Sequence, residues 1–210
     1  MYLKPVLSLI LPIISMLELS TSFADENKTY VVSGIDDVTE IVVDEFGVPH
    51  IYAENHYDVF FAQGFNAARD RLWQIDLWKR RGLGQLSEIL GEQYLEQDRA
   101  ARMFIYRGDM YAEWLAYGND AKLISKAFTA GINAFVELAK VNPELMPVEF
   151  GLLGYQPSTW QADEVVRIRS NGLWRNVVSE DWRARLACEG KLEEAAQWRT
   201  LEPNWQTHVP

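Results

Sequence analysis

The single cysteine, Cys188, stands in Arg185-Leu186-Ala187-Cys188-Glu189, a stretch of helical character. A cysteine nucleophile needs a base that holds it as thiolate. The nearest histidine along the chain is His208, twenty residues on, which is the setting of a structural cysteine. Asp44, Glu45 and Asp58 are carboxylates of the kind glycosidases use in pairs. A tight turn accounts for Asp44 and Gly47 equally well, since Asp hydrogen-bonds its own backbone and Gly accepts positive φ. His50 and His56 do not have the short helical or loop spacing that paired zinc ligands need. Gly82-Leu83-Gly84 lacks both the third glycine and the preceding strand of a phosphate-cradling loop. Arg69, Asp70 and Arg71 fall on the polar side of a helix and read as structural charges, pairing across an interface or capping a neighbouring helix. None of these groups is a catalytic residue.

The elements that would position any site follow from periodicity. Val38 to Val43 is β-rich, Asp44-Glu45-Phe46-Gly47 is a turn, and Val48 to Ala53 is a second short apolar run, so a β-hairpin is expected. Pro49 has no N–H, which requires the second strand to start there or to lie on an edge. From Tyr57 the period lengthens: Phe61, Phe65, Ala68, Leu72 and Ile75 recur at spacings of four, three, four and three, one face of a helix that Gly82 and Gly84 end. A short helix over Leu86 to Leu90 stops at Gly91. A long one runs from Asp120 to Val141, with Ile124, Phe128, Gly131, Phe135 and Leu138 on its face and Asn142-Pro143 closing it. A Pro- and Gly-rich connection leads to Ser158-Thr159-Trp160-Gln161, which has capping-box form and opens a helix through Val165 and Ile168. Helical patterning resumes from Glu180 to Ala196. The fold class is therefore α+β and mostly α, and its two strands need further strands beside them to be stable. Those partners come either from oligomer formation or from another polypeptide.

Composition bounds the function. A 210-residue chain with 48% hydrophobic residues can bury a core, and its formal net charge of −10 repels nucleic acid. No stretch reaches the ~20 apolar residues of a membrane-spanning helix, and with one cysteine there is no internal disulfide. Lys4, the apolar run from Val6 to Leu17 and the small residues Ser22 and Ala24 have the form of a signal peptide over residues 1–24, cleaved after Ala24. The expectation is export to the periplasm or medium, without a stable membrane anchor.

A more specific signal lies in Val43-Asp44-Glu45-Phe46-Gly47-Val48-Pro49-His50-Ile51-Tyr52-Ala53, then in Phe60-Phe61-Ala62-Gln63-Gly64-Phe65 and Ala68-Arg69-Asp70-Arg71-Leu72-Trp73-Gln74-Ile75. Further on come Arg81-Gly82-Leu83-Gly84-Gln85-Leu86-Ser87-Glu88, Gly131-Ile132-Asn133-Ala134-Phe135, Glu149-Phe150 to Gly154-Tyr155-Gln156-Pro157, Trp160 with Asp163, and Arg169-Ser170-Asn171-Gly172-Leu173 with Asn176-Val177-Val178-Ser179-Glu180. In this order the segments resemble the amino-terminal part of the penicillin-acylase family of amino-terminal-nucleophile hydrolases, from about Ile41 to Arg185.

The resemblance implies a precursor that is exported and cut into an α chain and a larger β chain. The nucleophile would be a serine at the new amino terminus of the β chain, with its own α-amino group as base. Residues 25–210 would be an α-subunit-like domain that stops before the β subunit: the helical knob, plus a hairpin belonging to an αββα sheet otherwise supplied by the β chain. The substrate class is an N-acyl amide such as a penicillin or cephalosporin, with an acyl-homoserine lactone as the alternative. A non-catalytic exported helical binding protein or degenerate fragment is the reading outside enzymes. By the same resemblance Glu180 gives a carboxylate to a structural Ca²⁺ whose other ligands lie on the β chain; its alternative is an exposed glutamate favoured by a helix start. Leu173 and Trp174 fall in the segment that lines the acyl pocket, or are ordinary core. No organic cofactor is implied.

Overall fold

The computed structural model describes residues 28–169 and 174–197. The chain divides into two units, residues 1–31 and 32–210. Of the first, only residues 28–31 are described, in neither helix nor strand; the signal-peptide segment lies outside the described residues.

In the second unit, β1 (Glu40–Val43) and β2 (Pro49–Tyr52) pair antiparallel, Ile41 facing Ile51 and Val43 facing Pro49. Asp44 builds the turn: its carboxylate accepts the N–H groups of Phe46 (2.9 Å) and Val48 (2.8 Å), and Gly47 takes φ +77°, which side chains rarely adopt. β2 begins at Pro49, as the missing N–H requires. Among the described residues these two strands are the whole sheet.

The body is helical: α1 (His56–Leu83), α2 (Ser87–Leu90), α3 (Leu95–Phe104), α4 (Met110–Ala116), α5 (Ala121–Val141), α6 (Val148–Leu153), α7 (Ala162–Arg167), α8 (Trp174–Cys188) and α9 (Leu192–Gln197). The core is the crossing of α1 and α5. Phe61, Phe65, Ala68 and Leu72 are buried on one, and Ala127, Ile132, Phe135, Val136 and Ala139 on the other. Phe65 and Phe135 meet edge to face at 5.4 Å. Glycine permits the approach: a Cβ on Gly64 would lie 1.9 Å from the Phe128 carbonyl oxygen, and one on Gly131 would lie 1.9 Å from that of Phe61. Each helix thus rests a glycine on the other's backbone.

The end of α1 is as expected, and its start carries a cap that the periodicity did not announce. The Asn55 side chain accepts the Asp58 N–H at 2.9 Å, and Gly84 closes the helix in the left-handed conformation. α1 is kinked at Arg71, where φ −145° and ψ 34° leave the helical region. Four stretches differ from the periodicity reading, one of them the pattern from Glu180 to Ala196, which is two helices, α8 beginning at Trp174 and α9 at Leu192. Residues between Gly91 and Asp120 form α3 and α4, and the Pro- and Gly-rich connection contains α6. The capping box before α7 is made by Gln161 and Glu164 rather than by Ser158, whose hydroxyl bonds Asp76 instead.

Candidate functional site

The chain segment of interest runs from α7 into α8, and buried charge fixes how it leaves α1. Asp76, 1% exposed, accepts the Ser158 N–H (3.0 Å), the Ser158 hydroxyl (2.7 Å) and the Arg80 guanidinium (2.8 Å). Lys79, 3% exposed, donates to the Thr159 carbonyl at 2.5 Å, lies 3.6 Å from Glu164 and sits over the Trp160 ring. Burial pushes this amine below the usual lysine range, against the pull of Glu164 and Asp76. Burial likewise pushes the Tyr155 phenol, beside Asp76, up to about 12. Lys79 thus holds the loop before α7 on α1, and the Tyr155 ring lies 5.1 Å from the Arg80 guanidinium of the same helix. Asn133 completes the attachment from α5, accepting the Trp160 N–H at 2.7 Å and donating to its carbonyl at 2.9 Å.

The other side of α7 is tied to α4. Trp114 Nε1 donates to Asp163 at 3.0 Å. Tyr106 and Arg167 exchange two bonds, the Tyr106 N–H to the Arg167 carbonyl (3.2 Å) and the Arg167 guanidinium to the Tyr106 carbonyl (2.9 Å). Ile168 packs on Gly82, where an added Cβ would lie 2.7 Å from the Ile168 Cβ. Arg169 donates to the Glu113 carboxylate and the Tyr117 hydroxyl, with the Tyr106 and Tyr117 rings each 5.5 Å from its guanidinium. The guanidinium beside Glu113 holds that carboxyl below the usual range.

Leu173 and the side chain of Trp174 lie outside the described residues; Trp174 is the first residue of α8. Glu180 is the seventh residue of that helix, beyond the first turn in which the dipole favours acids. It is exposed, and its carboxylate pairs with Arg183 at 2.6 Å. One exposed carboxylate fits one arm of a Ca²⁺ site and no more, since such a site takes six to eight oxygens. Among the described residues no three Asp, Glu, His or Cys side chains converge as metal ligands. Cys188, at the end of α8, is exposed.

The carboxylates that invited a catalytic reading are committed elsewhere. Asp44 closes the hairpin turn and pairs with His50 at 3.0 Å. Asp58, fully buried, accepts the Asp36 and Asp37 N–H groups at 2.9 Å and the Asn55 amide at 2.8 Å. Arg69 pairs with its neighbour Asp70, which also takes a bond from Asn66.

These helices and their hairpin have known counterparts. Residues 38–205 match the penicillin amidase family. The chain belongs to that family. It is 32% identical to the penicillin G acylase of Escherichia coli over 130 residues, 61% of this chain and 15% of that protein. It is 36% identical to the penicillin acylase 2 proenzyme of Pseudomonas sp. (strain SE83), also over 130 residues, 62% of this chain and 16% of the relative. An acyl-homoserine lactone acylase, QuiP of Pseudomonas syringae pv. tomato, is 24% identical over 142 residues, 68% of this chain and 17% of the relative. The matched part of the chain thus spans about one-sixth of these family members. Among solved structures, the thermostable penicillin G acylase from Alcaligenes faecalis superposes with a TM-score of 0.60 at 26% identity, covering 86% of this chain and 98% of the solved one.

Proposed function

We propose that this chain is the helical, amino-terminal part of an exported two-chain acylase, which hydrolyses the carbon–nitrogen bond of an N-acyl amide of the penicillin or cephalosporin kind. The observation that carries the reading is a contrast of coverage. The chain accounts for 98% of one solved penicillin G acylase chain, yet only 15% of the Escherichia coli relative. A separate polypeptide of this fold is therefore a small part of a much longer enzyme. The word "proenzyme" in a second relative's name fits a precursor that is cut.

In this reading the partner is a β chain carrying an amino-terminal serine, whose attack on the acyl carbonyl is assisted by its own α-amino group. Acyl transfer to serine releases the amine, water then releases the acid, and backbone donors stabilise the oxyanion in both steps. This chain's part is to shape and to hold. Leu173 and Trp174 would wall the acyl pocket, an apolar and aromatic lining suited to an acyl chain or phenyl ring. Glu180 would turn from Arg183 to a Ca²⁺ completed by the partner, tying the two chains together; no other cofactor is involved. The signal-peptide pattern of residues 1–24 supports export, and no described helix is long and apolar enough to cross a membrane.

The similarity to QuiP favours a second reading, an acylase acting on acyl-homoserine lactones. The test is hydrolysis of phenylacetyl and fatty-acyl chromogenic anilides by this chain alone and by this chain assembled with a family β chain. Activity that appears only on assembly supports the proposal, and the preferred acyl group chooses between the two readings. Hydrolysis by the chain alone would overturn the assignment of the nucleophile to a partner. Silence in both, with assembly verified by gel filtration, would favour a non-catalytic binding protein. In the active assembly, Glu180→Gln should weaken calcium-dependent association of the chains while leaving the helix content unchanged.

A further inference from the structure

We infer that Asp58 is the positioning residue of the hairpin: a buried carboxylate that holds both of its ends on the first turn of α1 and so fixes where the exposed strands point. The chain enters the hairpin through Asp36 and Asp37 and leaves it at Asn55, and all three donate to this one side chain. The Asp36 N–H bonds Oδ1 at 2.9 Å, the Asp37 N–H bonds Oδ2 at 2.9 Å, and the Asn55 amide bonds Oδ2 at 2.8 Å. Asp58 is fully buried. Burial works against the charged carboxylate, and the three donors outweigh it.

Capping of α1 does not require this arrangement. Asn55 already caps the helix by accepting the Asp58 N–H at 2.9 Å. In a capping box the acid at the third helical position returns to the backbone N–H of the cap. Asp58 holds that position, yet its carboxylate takes backbone N–H groups 22 and 21 positions upstream. Side-chain packing does not hold the hairpin either. Neither strand buries a residue, and a cleft of about 550 Å³ has Ile51, Tyr52 and Ala53 on one side and Val59 of α1 on the other. The entering segment does lie on α1, since a Cβ on Gly34 would stand 3.5 Å from the Phe61 ring. A two-stranded ladder is marginal in water, and holding its two ends together removes the loop entropy that their separation would gain. The carboxylate thus keeps the ladder paired as well as aimed. One consequence rests on the two-chain reading: a hairpin already ordered meets a partner chain without the cost of ordering it on binding.

The clamp is tested on the full chain by hydrogen–deuterium exchange, comparing peptides covering 38–53 with peptides from the α1–α5 crossing in wild type, Asp58→Asn, Asn55→Ser and Asp98→Asn. Asp58→Asn leaves the Asn55 cap in place but turns an amide towards N–H donors. It should speed hairpin exchange about tenfold relative to the crossing, as expected when a local opening loses its restraint. Asn55→Ser keeps a capping oxygen and loses the amide donor, so its effect should be smaller and of the same kind. Asp98 is another buried carboxylate, bound to the Leu86 and Ser87 N–H groups instead. Asp98→Asn should lower the melting temperature and leave the hairpin unchanged relative to the crossing. Unchanged hairpin exchange in Asp58→Asn, equal acceleration of hairpin and crossing, or the same hairpin response in Asp98→Asn would overturn the inference. Should Asp58→Asn fail to fold, Asn55→Ser against Asp98→Asn makes the same comparison. With a family β chain, Asp58→Asn should weaken association several-fold. If hairpin exchange responds but the wild-type chain does not associate with the β chain, the clamp stands and the two-chain reading falls.

Discussion

At the residue scale, buried carboxylates here close chain segments rather than do chemistry. Asp58 receives two backbone N–H groups from the segment before the hairpin, and Asp98 caps α2 by accepting the N–H groups of Leu86 (2.9 Å) and Ser87 (2.7 Å) and the Ser87 hydroxyl (2.6 Å). Burial raises the pKa of each, but the donors to the charged form outweigh it, so both lie below the ordinary aspartate value. A group whose folded pKa is depressed contributes stability that is complete above its unfolded pKa, about 3.9 for Asp, and lost as pH falls through the folded value. Asp98→Asn keeps one acceptor and turns an amide towards N–H donors, so it should cost about 1–3 kcal/mol at pH 7. It should also flatten the decline of stability between pH 5 and pH 3. Urea unfolding followed by circular dichroism at pH 7, 5, 4 and 3 gives both quantities. A variant as steeply pH-dependent as wild type would show that Asp98 is not a source of that dependence.

Between elements, the decisive contact is glycine on backbone where α1 crosses α5. A methyl group at Gly64 or Gly131 would stand 1.9 Å from a carbonyl oxygen that belongs to a helix and cannot swing aside. The helices must separate, and overpacking of this kind costs about 3 kcal/mol or more. At roughly 2–4 °C per kcal/mol for a chain of this size, Gly64→Ala should melt about 6–12 °C below wild type. Gly151→Ala, in α6 with nothing within 4 Å of the added carbon, should melt at or slightly above it. Equal melting of the two variants in a calorimetric scan would refute the close crossing.

Much of this crossing is legible in the chain. The stripe of Phe61, Phe65, Ala68 and Leu72 and the face containing Gly131 and Phe135 both follow from a period of 3.6, and Pro49 announces where β2 starts. The stripe ends differently from its apolar pattern. From Leu72 it runs not to Ile75 but, by steps of four and three, to Asp76 and Lys79, two charges on an apolar face. Such charges signal buried pairing, although nothing local says that the partners are Ser158 and Thr159, about eighty positions away. α3 and α4 are short and bury few side chains, while Met103, Tyr111 and Leu115 stand exposed, so neither carries a long apolar stripe. Their role at Arg169 depends on contacts over fifty positions along the chain, which periodicity does not encode. Of the candidate site residues, Glu180 is expected at or near a helix start and stands mid-helix on Arg183. Leu173 and the side chain of Trp174 lie outside the described residues.

For the whole molecule, the distribution of exposed apolar groups bears on the two-chain reading. The hairpin presents Val42, Val43, Phe46, Val48 and Tyr52, each more than 40% exposed, and neither strand buries a residue. A two-stranded sheet is marginal in water, and its unpaired edges invite further strands. Continuity of this hairpin with a sheet on the proposed β chain would satisfy both needs at once, with main-chain bonds giving affinity and the same-face side chains Val42 and Tyr52, with Phe46 of the turn, finding cover. Single exposed apolar residues are ordinary, whereas a contiguous group on an incomplete sheet marks an interface. The purified chain should accordingly bind a hydrophobic dye such as anilinonaphthalene sulfonate and self-associate at micromolar concentration. Phe46→Ser with Val48→Thr should reduce both effects without altering the melting of the helical body, and assembly with a β chain should abolish them. Dye fluorescence and sedimentation velocity on the same samples decide the matter. A monodisperse wild-type monomer that melts cooperatively and binds no dye would mean that the hairpin is stable without a partner, and the two-chain proposal would lose its structural support.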